Sequence, residues 1–176
     1  MRRFSAVLAV SALALAACGS DSDSGGGSSA ELSGADQELA DAIAANLVED
    51  DDGFAEAFDV DCIASGTVSA LGGADRIESE YGVTAANPDT EDVDLSADDA
   101  SKVAAAYASC GDLKDALIVG FATDGVTTEQ AECVLADISS DDVQAFFEES
   151  LQGNEEGPAG EKIFNALFEN FESCGG

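Results

Sequence analysis

Thirty-seven Asp and Glu side chains stand against six Lys and Arg, with no His, in a chain of 176 residues. Any compact state of such a chain forms against its own repulsion. It therefore needs a well-buried apolar core, cross-links, or both. The hydrophobic share of 45% supplies material for a core and separates the chain from a disordered acidic tail. Five cysteines supply material for cross-links. The formal net charge of −31 excludes electrostatic attraction to a nucleic-acid backbone or a bare anionic bilayer. The absence of His removes the commonest general base and the commonest transition-metal ligand.

Apolar residues recur at spacings of three and four. Leu39, Ile43 and Leu47 form one stripe, Phe54 and Phe58 another, and Val103, Ala106, Tyr107 and Cys110 a third. Ala131, Val134, Leu135 and Ile138 repeat the pattern, as do Val143, Phe146, Phe147 and Leu151. Ile163, Ala166, Leu167, Phe171 and Cys174 close it. These are the core faces of amphipathic helices, and no stretch alternates convincingly with the period of a strand. The fold class is read as all-α, a disulfide-stapled helical bundle. Ser96 with Asp99, Thr127 with Gln130, and Ser139 with Asp142 read as N-caps with capping-box partners. Phe164 and Phe168 lie off the Ile163/Leu167 line and widen that apolar face; they offer a partner surface, with burial against a neighbouring helix the leading expectation.

The N-terminus reads Met1-Arg2-Arg3 followed by an uncharged, largely apolar run from Phe4 to Ala17. A positive start and an apolar stretch too short for a permanent span describe a secretory signal. The run ends Leu15-Ala16-Ala17-Cys18, which resembles the lipobox of bacterial lipoproteins at all four positions. The resemblance implies that residues 1–17 are a signal peptide and that Cys18 becomes the lipidated first residue. It places the chain on the extracytoplasmic face of the cell membrane, held by diacylglyceryl and palmitate-type acyl groups, since two or more chains anchor stably. Residues 18–34 are then a lipidated Cys followed by a Gly/Ser/Asp-rich tether. Such a coil reaches roughly 20–25 Å, well past a Debye length of about 8 Å. All the acids lie after Cys18 and only Arg76, Lys102, Lys114 and Lys162 oppose them, so 37 acids against four bases leave −33. The lipid holds the acidic body, and the tether lets it stand beyond most of the repulsion from an anionic surface.

Residues 35–176 form the acidic helical domain, with possible repeats at 36–111 and 112–176. Asp52-Gly53 leading to Cys62 parallels Asp124-Gly125 leading to Cys133. Tyr107-Ala108-Ser109-Cys110-Gly111 parallels Phe171-Glu172-Ser173-Cys174-Gly175. With Cys18 lipidated, an even set of four Cys is left for an oxidising compartment. If each half is a helical hairpin, the start of its Cys-bearing helix lies beside the end of its closing helix. Of three possible connectivities this selects Cys62–Cys110 and Cys133–Cys174.

Little else points to chemistry. An EF-hand loop aligned on Gly53 fails at Val48 and is shortened at Asp59, so Glu49-Asp50-Asp51-Asp52 offers at most weak divalent binding. The four Cys lack a Cys-x-x-Cys spacing or a His partner for metal ligation. Carboxylate pairs can be drawn anywhere among so many acids. A Ser nucleophile has no His, and Ser101-Lys102 are adjacent residues that point apart on a helix. No catalytic, cofactor or metal residues are assigned.

Thr127-Thr128-Glu129-Gln130-Ala131-Glu132-Cys133, Leu95-Ser96-Ala97-Asp98-Asp99-Ala100 and Tyr107-Ala108-Ser109-Cys110 resemble the uncharacterised small acidic helical secreted proteins and lipoproteins of high-GC Gram-positive bacteria. That resemblance implies a fold and a location but no activity. The expectation is a non-enzymatic, lipid-anchored binding or interaction protein whose partner is a basic envelope protein or cationic ligand. A substrate-binding or divalent-cation-buffering module is the alternative, and a cell-wall hydrolase a distant third.

Overall fold

The computed structural model describes residue 32 and residues 34–49, 58–90, 93–123 and 126–175. Eight helices are found among them: α1 (Ala35–Glu49), α2 (Val60–Ala70), α3 (Ala74–Tyr81), α4 (Ala97–Cys110), α5 (Leu113–Thr123), α6 (Thr128–Val134), α7 (Ser140–Ser150) and α8 (Pro158–Asn170). Among the described residues there is no strand, only an isolated bridge between Thr84 and Asn87. The protein is all-α, as its periodicity predicts.

Five of these helices, α2, α4, α5, α6 and α7, start where a short polar side chain accepts from an orphan N–H group. Asp59 Oδ1 accepts from Cys62 N at 3.0 Å to open α2. Asp112 Oδ1 accepts from Lys114 N at 2.8 Å to open α5. Thr127 with Gln130 and Ser139 with Asp142 close reciprocal capping boxes on α6 and α7. The expected box on α4 is only half made. Ser96 accepts from Asp99 N, but the Asp99 carboxylate turns inward instead of reaching back. Helix α3 stops at Gly82, whose φ of +74° is the left-handed cap favoured by glycine.

The apolar faces form two clusters. One gathers Leu39, Ile43, Val68, Leu71, Ile77, Val83 and Val103 from α1, α2, α3, α4 and the segment after α3. The other gathers Phe58, Ile63, Leu113, Ile118, Leu135, Ile138, Val143 and Ile163. Leu47 and Tyr107 pack against both clusters. Helices α2 and α4 are therefore the shared middle of the bundle, with α4 also packing on α7. Backbone joins the two parts as well, through Leu95 N donating to Leu151 O at 2.8 Å.

Two disulfides brace this arrangement. Cys62 is bonded to Cys110 with Cα atoms 5.6 Å apart, and Cys133 to Cys174 with Cα atoms 5.9 Å apart. The first ties the start of α2 to the end of α4, the second ties α6 to the turn after α8. Loops of this size contribute about 4 kcal/mol each by limiting the unfolded chain. The stretches 36–111 and 112–176 share an order of four described helices and a staple from second to fourth. A repeat is not established by that order, because Ile63 of the first stretch is buried in the second cluster. Packing of the closing helices differs too, since α8 packs mainly on its predecessor α7 while α4 packs mainly on α2.

Candidate functional site

Every basic side chain after Cys18 is engaged by a carboxylate or carbonyl of the bundle, Lys102 and Lys162 at its surface. Arg76 on α3 donates Nη1 to the Leu71 carbonyl at 2.8 Å, which closes the C-terminus of α2. It also donates to Asp99 of α4, Nη1 to Oδ1 at 3.2 Å and Nη2 to Oδ2 at 2.6 Å. Lys102 Nζ meets Asp99 Oδ1 at 3.0 Å. Lys114 Nζ on α5 donates to the Ile138 carbonyl at 2.7 Å, in the link between α6 and α7. Lys162 Nζ on α8 meets Asp142 Oδ2 on α7 at 2.6 Å. Three of the four thus tie separate elements together. Arg76 also reaches the exposed Glu80 at 2.7 Å, and four cations are too few to neutralise the many carboxylates that face solvent.

Asp99 is the one buried charged side chain among the described residues, at 2% exposure. It lies four residues before Val103 and so shares that inward face. Its carboxylate receives Arg76, Lys102 and the Tyr81 hydroxyl, the last at 2.6 Å. Arg76 foremost, then Tyr81 and Lys102, hold the Asp99 carboxyl well below the usual carboxylate range. The Arg76 guanidinium is correspondingly held above its ordinary value by hydrogen bonds to Asp99 and Glu80. Burial, followed by the bond to Asp99, pushes the Tyr81 phenol up. A carboxylate so fixed stays ionised with its lone pairs occupied, and cannot cycle a proton near neutrality. It is a bolt between α3 and α4.

Beside this bolt, Ile43, Thr67, Leu71, Ile77, Tyr107 and Leu151 help enclose an apolar cavity of about 60 Å³. Ligand sites are usually about 300–1,000 Å³, so this one has space for water or the tip of a small apolar group. Thr67, 7% exposed, has no hydrogen-bond partner of good geometry for Oγ1 among the described residues. Its hydroxyl nevertheless lies near enough to Tyr107 to temper the rise that burial imposes on that phenol. Among the described residues no three His, Cys, Asp or Glu side chains converge as metal ligands.

The residues singled out in the sequence fall in different places. Cys18, the rest of the lipobox and most of the tether lie outside the described residues, as do Asp50–Asp52 and Asp124-Gly125. Glu49 is the exposed end of α1. Ser101 turns to Glu148 Oε1 at 3.4 Å while Lys102 turns to Asp99, so the adjacent pair diverges. The expected burial of Phe164 and Phe168 is corrected: they are 44% and 81% exposed, because no described helix covers that flank of α8.

Two carboxylates have roles that local patterns do not reveal. Helices α3 and α8 begin at Gly73 and Gly157, which have no side chain to cap with. Asp36 Oδ1, from α1, accepts from Ala74 N at 2.7 Å. Glu149 Oε2, from α7, accepts from Ala159 N at 2.9 Å and Gly160 N at 3.0 Å. In both cases glycine leaves room for the visiting carboxylate. A Cβ at Gly73 would sit 2.9 Å from Asp36 Oδ1, and one at Gly157 would collide with Glu149.

The chain matches no known family model, and no curated protein or solved structure is detectably similar to it. No described helix is long and apolar enough to cross a membrane.

Proposed function

We propose that the chain is a lipid-anchored protein of the extracytoplasmic membrane face, with a non-enzymatic role in binding a basic envelope protein or cationic ligand. In this reading residues 1–17 are removed, Cys18 carries the lipid, and residues 18–34 tether the acidic body. One observation carries the binding role: all four cations after Cys18 are engaged within the bundle, so its outward field is of one sign. Such a field attracts cationic partners from a distance and repels anionic ones, and salt weakens it steeply. The pinned state of Asp99 supports a structural role for that carboxylate over a catalytic one.

The test is capture from solubilised cell envelope over a series of salt concentrations. Basic proteins retained at low salt and released as salt rises are the expected result. Capture that is indifferent to salt would remove the electrostatic basis of the proposal. Replacing Cys18 by Ser should move the protein from the membrane fraction to the medium.

A further inference from the structure

Helix α8 carries an aromatic strip that the bundle leaves open. Phe164, Phe168 and Phe171 follow the spacing i, i+4, i+7 and are 44%, 81% and 40% exposed. That spacing aligns them along one edge of the helix. The neighbouring edge is the one held by the core, with Ile163 buried and Ala166 and Leu167 partly so. Single exposed apolar residues need no explanation, but three Phe in a row are a continuous apolar surface.

Carboxylates mark the outer margin of the strip. Glu161 precedes Phe164 by three positions and Phe168 by seven, and Glu172 follows Phe168 by four, so both share its side of the helix. Both are exposed. The one cation of α8, Lys162, is directed onto Asp142 of α7 and does not offset them.

We infer that this strip is the docking site for a cationic amphipathic segment of another protein, with apolar side chains on one face and Lys or Arg at its margins. The inference rests on the proposed basic partner and says where that partner sits. Aromatic anchors supply affinity, while the flanking acids set the sign of the partner and speed encounter. Charge disfavours the competing occupants. A second copy would bring two strongly negative bodies together, and an anionic lipid surface would repel the strip in the same way.

The experiment titrates the full chain with two synthetic peptides of equal charge, an amphipathic Leu/Lys helix and a Gly/Lys coil. The Leu/Lys helix should bind more tightly. Phe168→Ser, alone and with Phe164→Ser, should weaken it about tenfold or more while leaving the Gly/Lys coil unaffected. Glu161→Gln with Glu172→Gln should flatten the salt dependence of binding. Because Phe168 is exposed, the variant's thermal melt should overlay that of the parent, so lost binding is not lost folding. Equal binding of both peptides, unmoved by the Phe changes, would overturn the docking site and leave the basic-partner reading standing. Binding of neither peptide would overturn both. Self-association of the chain that Phe168→Ser abolishes would also overturn the inference, since the occupant would then be a second copy.

Discussion

Helices α4 and α8 close the two halves of the chain alike, each after a staggered run of three helices and each at a disulfide, but they meet opposite surroundings. Helix α4 lies between α2 and α7 and buries Asp99, Ala100, Val103 and Ala104. Helix α8 packs on α7 and α6 and buries only Gly160 and Ile163. The same kind of amphipathic sequence becomes a central strut in one place and an open margin in the other. Neighbours decide this, and periodicity does not name neighbours. The staples share the contrast: Cys62 and Cys110 are half-buried, whereas Cys133 is exposed.

The largest effects should come from the staples. Removing either pair, as Cys62→Ala with Cys110→Ala or Cys133→Ala with Cys174→Ala, should cost about 4 kcal/mol. Denaturant unfolding would measure it. Under mild reductant the exposed Cys133–Cys174 bond should open before Cys62–Cys110, as read by time-resolved peptide mapping. Opening in the reverse order would contradict the placement of α4 at the centre.

Next comes the buried bolt on α4, which has no counterpart on α8. Asp99→Asn should cost about 3 kcal/mol near neutral pH, because it removes the buried charge that Arg76, Lys102 and Tyr81 share and leaves Arg76 only the exposed Glu80. The folded pKa of Asp99 lies below its unfolded value. Its contribution is therefore complete above the ordinary carboxylate range and is lost as pH falls through and below that range. Unfolding of parent and variant compared at neutral and acidic pH should show the gap shrinking in acid. A gap that widened in acid would refute this role for the carboxylate.

Smaller effects belong to the visiting caps. Gly157→Ala should displace Glu149 from the start of α8, and Gly73→Ala should displace Asp36 from the start of α3. Losing such a cap costs about 1 kcal/mol. Gly73→Ala should cost more than Gly157→Ala, because Gly73 also has a φ of +96°. Thermal unfolding of the two variants checks the order. The smallest effect is Phe168→Ser, which removes an 81% exposed side chain and should change stability by less than about 0.5 kcal/mol.

What the sequence made legible was local. Thr127 with Gln130 and Ser139 with Asp142 cap within one turn, so three residues suffice to read them. Reading each half as a hairpin brings Cys62 toward Cys110 and Cys133 toward Cys174, the pairs that the structure joins. The spacing of Asp99 to Ser96 reads as a cap partner, although its position four residues before Val103 places it on the inner face. Asp36 and Glu149 give no local sign, because the helices they cap start at glycines 37 and eight residues away in sequence. The exposure of Phe164 and Phe168 is not decided by their spacing, because a broad apolar face reads as buried wherever a neighbour is assumed. On α8 that neighbour is absent from the described bundle.

The central proposal is a cross-braced acidic body held outside the membrane by a lipid on Cys18. Mass spectrometry of the non-reduced protein from the membrane fraction addresses it most directly. The expected N-terminal peptide begins at Cys18 with its acyl groups attached, and the cross-linked peptides join Cys62 to Cys110 and Cys133 to Cys174. A chain beginning at Met1, with an unmodified Cys18 and free thiols elsewhere, would contradict it.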